Sequence, residues 1–341
     1  MNLNSLASTI IVLFGSVVAL IYGKAILVPF MFALLIYFLI RAIHRLIDRN
    51  RIIREHVPSW LKNILSAAVI FTLLAVIFNL LIVNSENLVL SLSHYQGNLE
   101  KVLGDIKQEF GIDLLKTVDE KLNDIDLSAY AKDILSGVTG LLGNMLMIFF
   151  YIIFLFLEES TFNKKIRLLF RGEKYAQVEE TMENMESAIT HYIGLKTLVA
   201  LISGVCCYVV CLSFGISSPL FWSFLISISN FIPVIGSLAG VFVPSLFTLI
   251  QFGEFITPLV FLLVLGTIQT LISNLFEPWI MGDSLNISPL VAILALVCWG
   301  SIWGIVGMIV CVPITVILII LLAQFKKTKG IAILLSHHGK I

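Results

Sequence analysis

The sequence predicts an all-α, polytopic membrane protein with six to eight transmembrane helices and two re-entrant hairpins in its C-terminal half. Of the 341 residues, 58% are hydrophobic and only 13% are charged, and the mean hydropathy is +1.00. A soluble domain carries about 25% charged residues. Uncharged apolar stretches recur, and about twenty such residues cross the hydrocarbon core of a bilayer. The formal net charge is zero, which gives no electrostatic basis for binding nucleic acid.

The first three predicted transmembrane helices lie within residues 1–83. Residues 1–23, 25–40 and 63–85 contain no Lys, Arg, Asp or Glu. The loop between the second and third stretches carries six basic and two acidic residues, and short loops rich in Lys and Arg stay in the cytoplasm. No basic residue precedes Lys24, so the first stretch is expected to be a retained helix rather than a cleaved signal peptide. The N-terminus is therefore expected in the cytoplasm.

Residues 84–137 are predicted to form amphipathic helices outside the cytoplasm. The segment contains five lysines and ten acidic residues, a composition that favours the outer face. Its apolar residues recur at spacings of three and four from Leu88 to Ile125, as they do on one face of a helix. Gly111 interrupts this pattern, so more than one helix is expected.

Residues 138–190 are predicted to complete a fourth transmembrane helix and to add a cytoplasmic amphipathic helix. Residues 134–157 lack charge, and five basic residues follow closely after them, as expected for a cytoplasmic end. Apolar residues from Val178 to Ile189 lie at helical spacing beside a run of glutamates, which is interpreted as a solvated face. The tail, residues 326–341, contains lysines that also favour the cytoplasm. An even number of crossings is therefore expected, with both termini inside.

Residues 191–325 are predicted to form a transport core, because their apolar segments are interrupted. A full-length helix over 255–276 has a broken pair on each side, with breaks at Asn230–Gly236 and Gly300–Gly304. Non-helical backbone at membrane depth is tolerated only where protein or a wet cavity satisfies it. Paired interrupted segments are therefore the best sequence indication of a transporter binding site. The hypothesis is six complete crossings plus two re-entrant hairpins, and the alternative is eight plain, kinked helices.

Ionisable residues are rare in this core. Only three charged residues follow Lys196 before the C-terminal lysines, and Glu277 and Asp283 are two of them. Such groups are costly inside a membrane, which makes them candidates for ion coupling. Glu277 is interpreted as a proton or cation site or as an interfacial cap, and Asp283 as a second acid or a polar loop residue. Lys196 either pairs with an acid such as Glu277 or extends to the cytoplasmic surface.

Uncharged polar residues and helix breaks are the candidates for a solute path. Three amides lie in apolar surroundings: Asn230, Gln269 and Asn274. An amide offers donors and an acceptor that match the hydroxyls of a polyol-like solute, although it can equally hold two helices together. Proline removes a donor and glycine loosens a helix. The remaining candidates are the breaks at Pro233, Gly236, Gly304 and Pro313.

No motif indicates an enzyme. The sequence contains no GxSxG, HExxH or phosphate-binding loop, so catalysis, a cofactor and an ATP-driven pump are not expected. The five cysteines lie in apolar segments without a CxxC pair. They are interpreted as packing residues rather than disulfides or metal ligands.

Several ordered motifs resemble one known family. They are Tyr192-Ile-Gly-Leu-Lys196-Thr with Gly204, Asn230-Phe-Ile-Pro-Val-Ile-Gly236-Ser, Asn274-Leu-Phe-Glu277-Pro278-Trp-Ile-Met-Gly282, Ser288-Pro289-Leu, Trp299-Gly300 and Gly304-x-x-Gly307. Together they are similar to the autoinducer-2 exporter family (AI-2E, the PerM-like permeases), and most to its TqsA-like branch. The resemblance covers nearly the whole chain. Trp279 departs from it, because many relatives have a basic residue there, and this leaves a charge-pairing role at that position in doubt.

The resemblance implies an inner-membrane permease that forms a homo-oligomer, with a pentamer as the expected form. It implies export of a small polar signal such as autoinducer-2 for some members, and sodium or lithium/proton antiport for others. Three functions therefore stay open. They are a secondary transporter of a small polar solute, a cation/proton antiporter that uses Glu277 and Asp283, and a membrane scaffold that recruits partners through residues 84–137 or 158–190.

Overall fold

The structure is a computed structural model, which describes residues 3–48, 58–95, 97–98, 101–102, 104, 127–281, 287–337 and 339. Every regular element within these residues is helical, and their single isolated bridge pairs Ile287 with Ser336. The predicted all-α class is therefore confirmed. Asp283 and most of the predicted outer amphipathic segment, residues 105–126, lie outside the described residues.

The helices are numbered here in chain order. Their bounds are α1 Leu3–Tyr22, α2 Lys24–Asp48, α3 Ser59–His94, α4 Leu127–Leu169, α5 Glu173–Ser213, α6 Pro219–Ser229, α7 Ile235–Phe252, α8 Ile256–Leu271, α9 Glu277–Met281, α10 Pro289–Trp303, α11 Ile305–Gln324 and α12 Lys329–Leu335. A π-helical turn, Ile272–Phe276, joins α8 to α9.

Within the residues that the structure describes, five helical stretches are long and apolar enough to cross a bilayer. They are Lys24–Arg45, Glu173–Ser213, Ile235–Phe252, Ile256–Met281 and Ile305–Gln324. A sixth is added if the bent pair Met145–Glu159 and Thr161–Leu169 counts as one span. These helices confirm a polytopic membrane protein. The apolar helices α6 and α10 have 11 and 15 residues, or about 16 and 22 Å at the α-helical rise, and are shorter than the hydrocarbon core of about 30 Å.

Helix α5 is continuous over 41 residues. It passes through residue 190, so the predicted amphipathic segment before that point and the predicted transmembrane segment after it are parts of one helix. The physical reason is local, because the helix contains no proline and only two glycines, Gly194 and Gly204. Helix α3 also continues beyond the predicted boundary at residue 83, as far as His94.

The chain divides into two compact units. Unit 1 comprises Met1–Ser66, Asn144–Leu195 and Asp283–Ile341, and unit 2 comprises Ala67–Gly143 and Lys196–Gly282. Unit 2 contains the first of the two interrupted helix pairs, α6 and α7. Unit 1 contains the second, α10 and α11.

Unit 2 is built around the hairpin of α6 and α7. A Cβ placed on Gly236 would lie 1.6 Å from the carbonyl oxygen of Ser229, and one on Gly240 would lie 2.7 Å from the side chain of Ile226. The two helices therefore run antiparallel in contact, which only glycine permits at these positions. Helix α7 in turn packs on α8, whose Phe261 is fully buried in the apolar core of the unit.

Unit 1 contains the corresponding hairpin of α10 and α11. Gly304 forms the break, with φ 64° and ψ −141°, a conformation that is essentially restricted to glycine. A Cβ on Gly307 would lie 1.9 Å from the carbonyl oxygen of Trp299, so Gly307 is the counterpart of Gly236. The indole Nε1 of Trp303 donates a 3.0 Å hydrogen bond to the carbonyl oxygen of Leu20, which holds the hairpin against α1.

Candidate solute path

Two predicted amides meet inside unit 2. The Nε2 of Gln269 on α8 donates a 2.6 Å hydrogen bond to Oδ1 of Asn230, and each residue is only 3% exposed. Asn230 caps the C-terminus of α6, and its Nδ2 donates to the carbonyl oxygen of Ile226 at 3.0 Å. The break after α6 thus leaves a polar group at the end of a short apolar helix, where it contacts the next full-length helix.

Two predicted charges also meet in unit 2. The ammonium of Lys196 on α5 is bonded to Oε1 of Glu277 on α9, and the side chains are 8% and 19% exposed. Lys196 therefore points inward to an acid rather than outward to the membrane surface. Removing one partner of a buried ion pair costs about 3–5 kcal/mol, because the other charge is left uncompensated. A pair of this kind within an apolar helical region is expensive to maintain, which marks it as a functional candidate.

The π-turn joins these two contacts along one helix. The backbone N–H of Glu277 bonds to the carbonyl oxygen of Ile272, five residues earlier, instead of the usual four. Pro278 follows directly and has no N–H, and its ring clashes with the carbonyl four residues before it. The proline therefore accounts for the local widening of the helix, and π-turns of this kind are frequent at functional sites.

Ser273 completes the polar face between the two contacts, and the sequence did not single it out. Its Oγ lies 3.3 Å from Nε2 of Gln269, one turn earlier on the same helix. Gln269, Ser273 and Glu277 follow one another at intervals of four residues. That spacing was the available signal, because residues four apart are neighbours on a helix surface.

Only some of the remaining candidates for the solute path lie near these two contacts. Gly236 is buried in the α6–α7 contact, Pro233 is half-buried in the turn before it, and Asn274 is exposed on the π-turn. Gly304 and Pro313 belong to unit 1, where Gly304 is exposed and Pro313 is buried within α11. Among the candidates that the structure describes, the pairs joined by side-chain contacts are thus Asn230 with Gln269 and Lys196 with Glu277.

Unit 1 contains a cavity of about 740 Å³ between α2, α4 and α5. Its lining is mostly apolar, with aromatic rings and a set of carboxylates. The carboxylates are Glu158, Glu159, Glu179, Glu183 and Glu186. The sequence does not predict this cavity, because Glu179, Glu183 and Glu186 belong to the run of glutamates that is interpreted as a solvated face.

Arg41 contacts two of the carboxylates that line this cavity. Its guanidinium is bonded to Glu159 on α4, lies 3.7 Å from Oε1 of Glu186 on α5, and donates at 3.2 Å to the hydroxyl of Tyr37. Arg45 also approaches Glu186, at 3.4 Å. Glu186 is therefore half-buried and paired rather than part of a free acidic face. The contacts connect three helices at one end of unit 1.

Comparison of the sequence with known proteins identifies a family. The family model described as "AI-2E family transporter" matches residues 6–327. The AI-2 transport protein TqsA of Escherichia coli K12 is 28% identical over 344 residues, which cover 97% of this chain and 96% of TqsA.

Two further relatives carry only provisional names as transport proteins. One, from Borreliella burgdorferi, is 29% identical over 250 residues, covering 72% of this chain and 68% of its own length. The other, from Haemophilus influenzae, is 25% identical over 347 residues, covering 98% of this chain and 96% of its own length. The matched region includes both hairpins and all the polar contacts of unit 2. The chain belongs to the AI-2E transporter family.

Proposed function

We propose that this chain is a secondary transporter that exports a small polar solute across the inner membrane, with both termini in the cytoplasm. The observation that carries the proposal is the polar face of unit 2. The buried amides of Asn230, at the end of α6, and Gln269, on α8, contact each other among apolar helices. Glu277, eight residues after Gln269, pairs with Lys196 of α5. Such groups are costly to bury among apolar helices. A role in binding a solute would explain why they are present.

The chemistry of the amide pair favours a polyhydroxylated or carbonyl-bearing solute. An amide oxygen accepts and an amide nitrogen donates, so a hydroxyl can replace either partner in the Asn230–Gln269 bond. The hydroxyl of Ser273 extends the same chemistry one turn along the helix. The name of the relative TqsA, an AI-2 transport protein, makes autoinducer-2 the first candidate substrate.

The ion pair would close the path when no solute is present. Lys196 and Glu277 join α5 to the helix that carries Gln269, so separating them would free one end of that helix. A solute that occupies the amides and favours the separated state would shift the equilibrium toward it. The proposed cycle therefore alternates between a paired, closed state and an unpaired, open one.

Replacing both amides by leucine tests the proposal. Substituting both partners of a buried hydrogen bond by apolar groups of similar shape is nearly neutral for stability. The variant Asn230→Leu/Gln269→Leu is therefore expected to fold, while it loses the polar contact. We expect proteoliposomes with the unaltered chain to release autoinducer-2, erythritol or ribitol faster than empty liposomes, and the double variant to release none of them faster.

The matched control for this experiment is Thr267→Val. Thr267 lies two residues before Gln269 on the exposed side of α8, and its hydroxyl donates at 2.6 Å within the helix. This variant is expected to transport as the unaltered chain does. Full efflux from the double-leucine variant would refute the assignment of the path.

A second candidate function is sodium- or lithium-coupled proton antiport. The half-buried Glu277 favours it, since an ionisable carboxylate within the membrane can exchange a proton for a cation. Glu277→Gln should then abolish sodium and lithium tolerance in an antiporter-deficient host. Unchanged tolerance would exclude this function while leaving solute export open.

We also propose that the chain assembles as a homo-oligomer, with a pentamer as the expected form. Support comes from the many large apolar side chains that unit 2 exposes on α5, α7 and α8, among them Val205, Phe242 and Leu263. Lipid or a second copy would have to cover them. Native mass spectrometry of the detergent-solubilised protein would show the subunit count.

A further inference from the structure

We infer that the π-turn at Ile272–Phe276 is a register switch that carries Glu277 onto and away from Lys196. The inference rests on the proposed function, because the opening of the solute path is the event that this switch would control. Its basis is the position of the turn, between Gln269, which bonds Asn230, and Glu277, which bonds Lys196.

The π-turn aligns the two contacts on one face of the helix. Successive residues of an α-helix are about 100° apart, so eight regular steps from Gln269 would place Glu277 about 80° away from it. A π-turn adds about one residue to a turn of similar size, which leaves about seven effective steps. The offset then falls to about 20°. The wide turn therefore places the Glu277 carboxylate on the side of the helix that carries Gln269.

Relaxation of the turn would reverse this alignment. The N–H of Glu277 would exchange its acceptor, from the carbonyl of Ile272 to that of Ser273, and the following residues would rotate by about 100°. Phe276 would then take the angular position that Glu277 holds, and the carboxylate would leave Lys196. One backbone hydrogen bond is exchanged for another, so the number of such bonds at Glu277 does not change.

Two features make both registers accessible. Pro278 has no N–H in either register, so the regular helix gains no bond at that residue. Leu275 and Trp279 are 64% and 78% exposed, so most of the rotating surface is not held in the core. The ion pair with Lys196 then decides which register is favoured.

Disulfide crosslinking distinguishes the two registers. In a chain whose five native cysteines are replaced by alanine, the pair Lys196→Cys/Glu277→Cys reports the π register. The pair Lys196→Cys/Phe276→Cys reports the α register. Both variants lack Lys196 and therefore the ion pair, so both registers become accessible. Each cysteine pair is then expected to crosslink under oxidation in liposomes. Absence of the 196–276 crosslink would overturn the switch.

Deletion of Leu275 provides the second arm. Removing one residue from a π-turn leaves seven regular steps between Gln269 and Glu277, which fixes Glu277 opposite Lys196 in an ordinary α-helix. Only the 196–277 crosslink should then form, and its presence also shows that the variant is folded. A 196–276 crosslink in the deleted chain would overturn the inference.

Transport measurements complete the test. With the native cysteines and Lys196 retained, the chain lacking Leu275 is expected to lose efflux of autoinducer-2 and ribitol, because it cannot leave the paired register. Leu275→Ala, which keeps the chain length, is expected to retain efflux. Efflux by the deleted chain at the unaltered rate would overturn the switch. If the unaltered chain moves neither probe, the proposed function fails, and the crosslinks alone decide between one register and two.

Discussion

In unit 2 the amide of Gln269 donates a hydrogen bond to Oδ1 of Asn230 across 2.6 Å, although 39 residues separate them in sequence. The contact joins the end of a short helix to the middle of a full-length one. It is buried on both sides, so neither amide can exchange its partner for water while the hairpin is closed. Because the pair is isolated from water, substitution can measure how much the hydrogen bond contributes to the free energy of unfolding.

Substituting one amide alone should be worse than substituting both. Gln269→Leu leaves the buried Asn230 Oδ1 without its donor, which costs about 1–3 kcal/mol, whereas Asn230→Leu/Gln269→Leu leaves no orphaned group in this contact. Thermal unfolding in detergent should therefore place the single variant below the double one. The reverse order would show that the two amides do not depend on each other.

The charged pair should behave in the same way, with a larger effect. Glu277→Gln strands the ammonium of Lys196 in a buried position, at a cost of about 3–5 kcal/mol. Adding Lys196→Met to that variant removes the stranded charge and should restore much of the loss. A double-mutant cycle of unfolding free energies measures the coupling. A coupling of zero would mean that the two charges are solvated in the folded protein.

Gly236 should tolerate no side chain at all. A Cβ would lie 1.6 Å from the carbonyl oxygen of Ser229, so Gly236→Ala forces α6 and α7 apart and should lower the unfolding temperature and the transport rate. The matched control is Gly15→Ala, because a Cβ at Gly15 meets no atom within 4 Å, and alanine favours a helix over glycine by about 1 kcal/mol. Equal unfolding temperatures for the two variants would contradict the close contact.

Arg41 should stabilise unit 1. Arg41→Met leaves the carboxylates of Glu159 and Glu186 without the guanidinium between them, and loss of a hydrogen bond to a charged group costs about 1.5–3 kcal/mol. Arg171→Met, at an exposed position, is the control and should change stability little. The difference is read from unfolding in detergent. It should shrink in high salt, because part of the cluster is open to solvent.

The sequence predicted the parts of this site that follow from composition. Charge is so sparse after Lys196 that Glu277 was one of very few acids available to it, and the structure pairs them. The two broken helix pairs were predicted from Pro233, Gly236 and Gly304, and helical hairpins are found at both places. The re-entrant insertion of these hairpins into a bilayer stays a prediction.

Features that depend on three-dimensional register could not be predicted in the same way. The π-turn arises from the competition of Pro278 with the backbone of the preceding turn, and no composition or periodicity signal reports which register prevails. Ser273 is an exception, because its spacing of four residues from Gln269 and from Glu277 is visible in the sequence. The sequence indicates a solvent-facing acid at Glu186 because its partner Arg41 lies 145 positions away, and the pattern around Arg41 indicates only the orientation of the chain.

The contact at Gly236 has a mechanical consequence. At Gly236 the two helices touch backbone to backbone, with no side chain between them, so α6 and α7 are expected to move together. Any bending has to occur at the two ends of this hairpin. Both ends have left-handed backbone, with φ 55° at Ser218 before α6 and φ 64° at Gly253 after α7. The absence of a Cβ at Gly236 thus makes the α6–α7 hairpin stiff, and Ser218 and Gly253 are the positions about which it would turn.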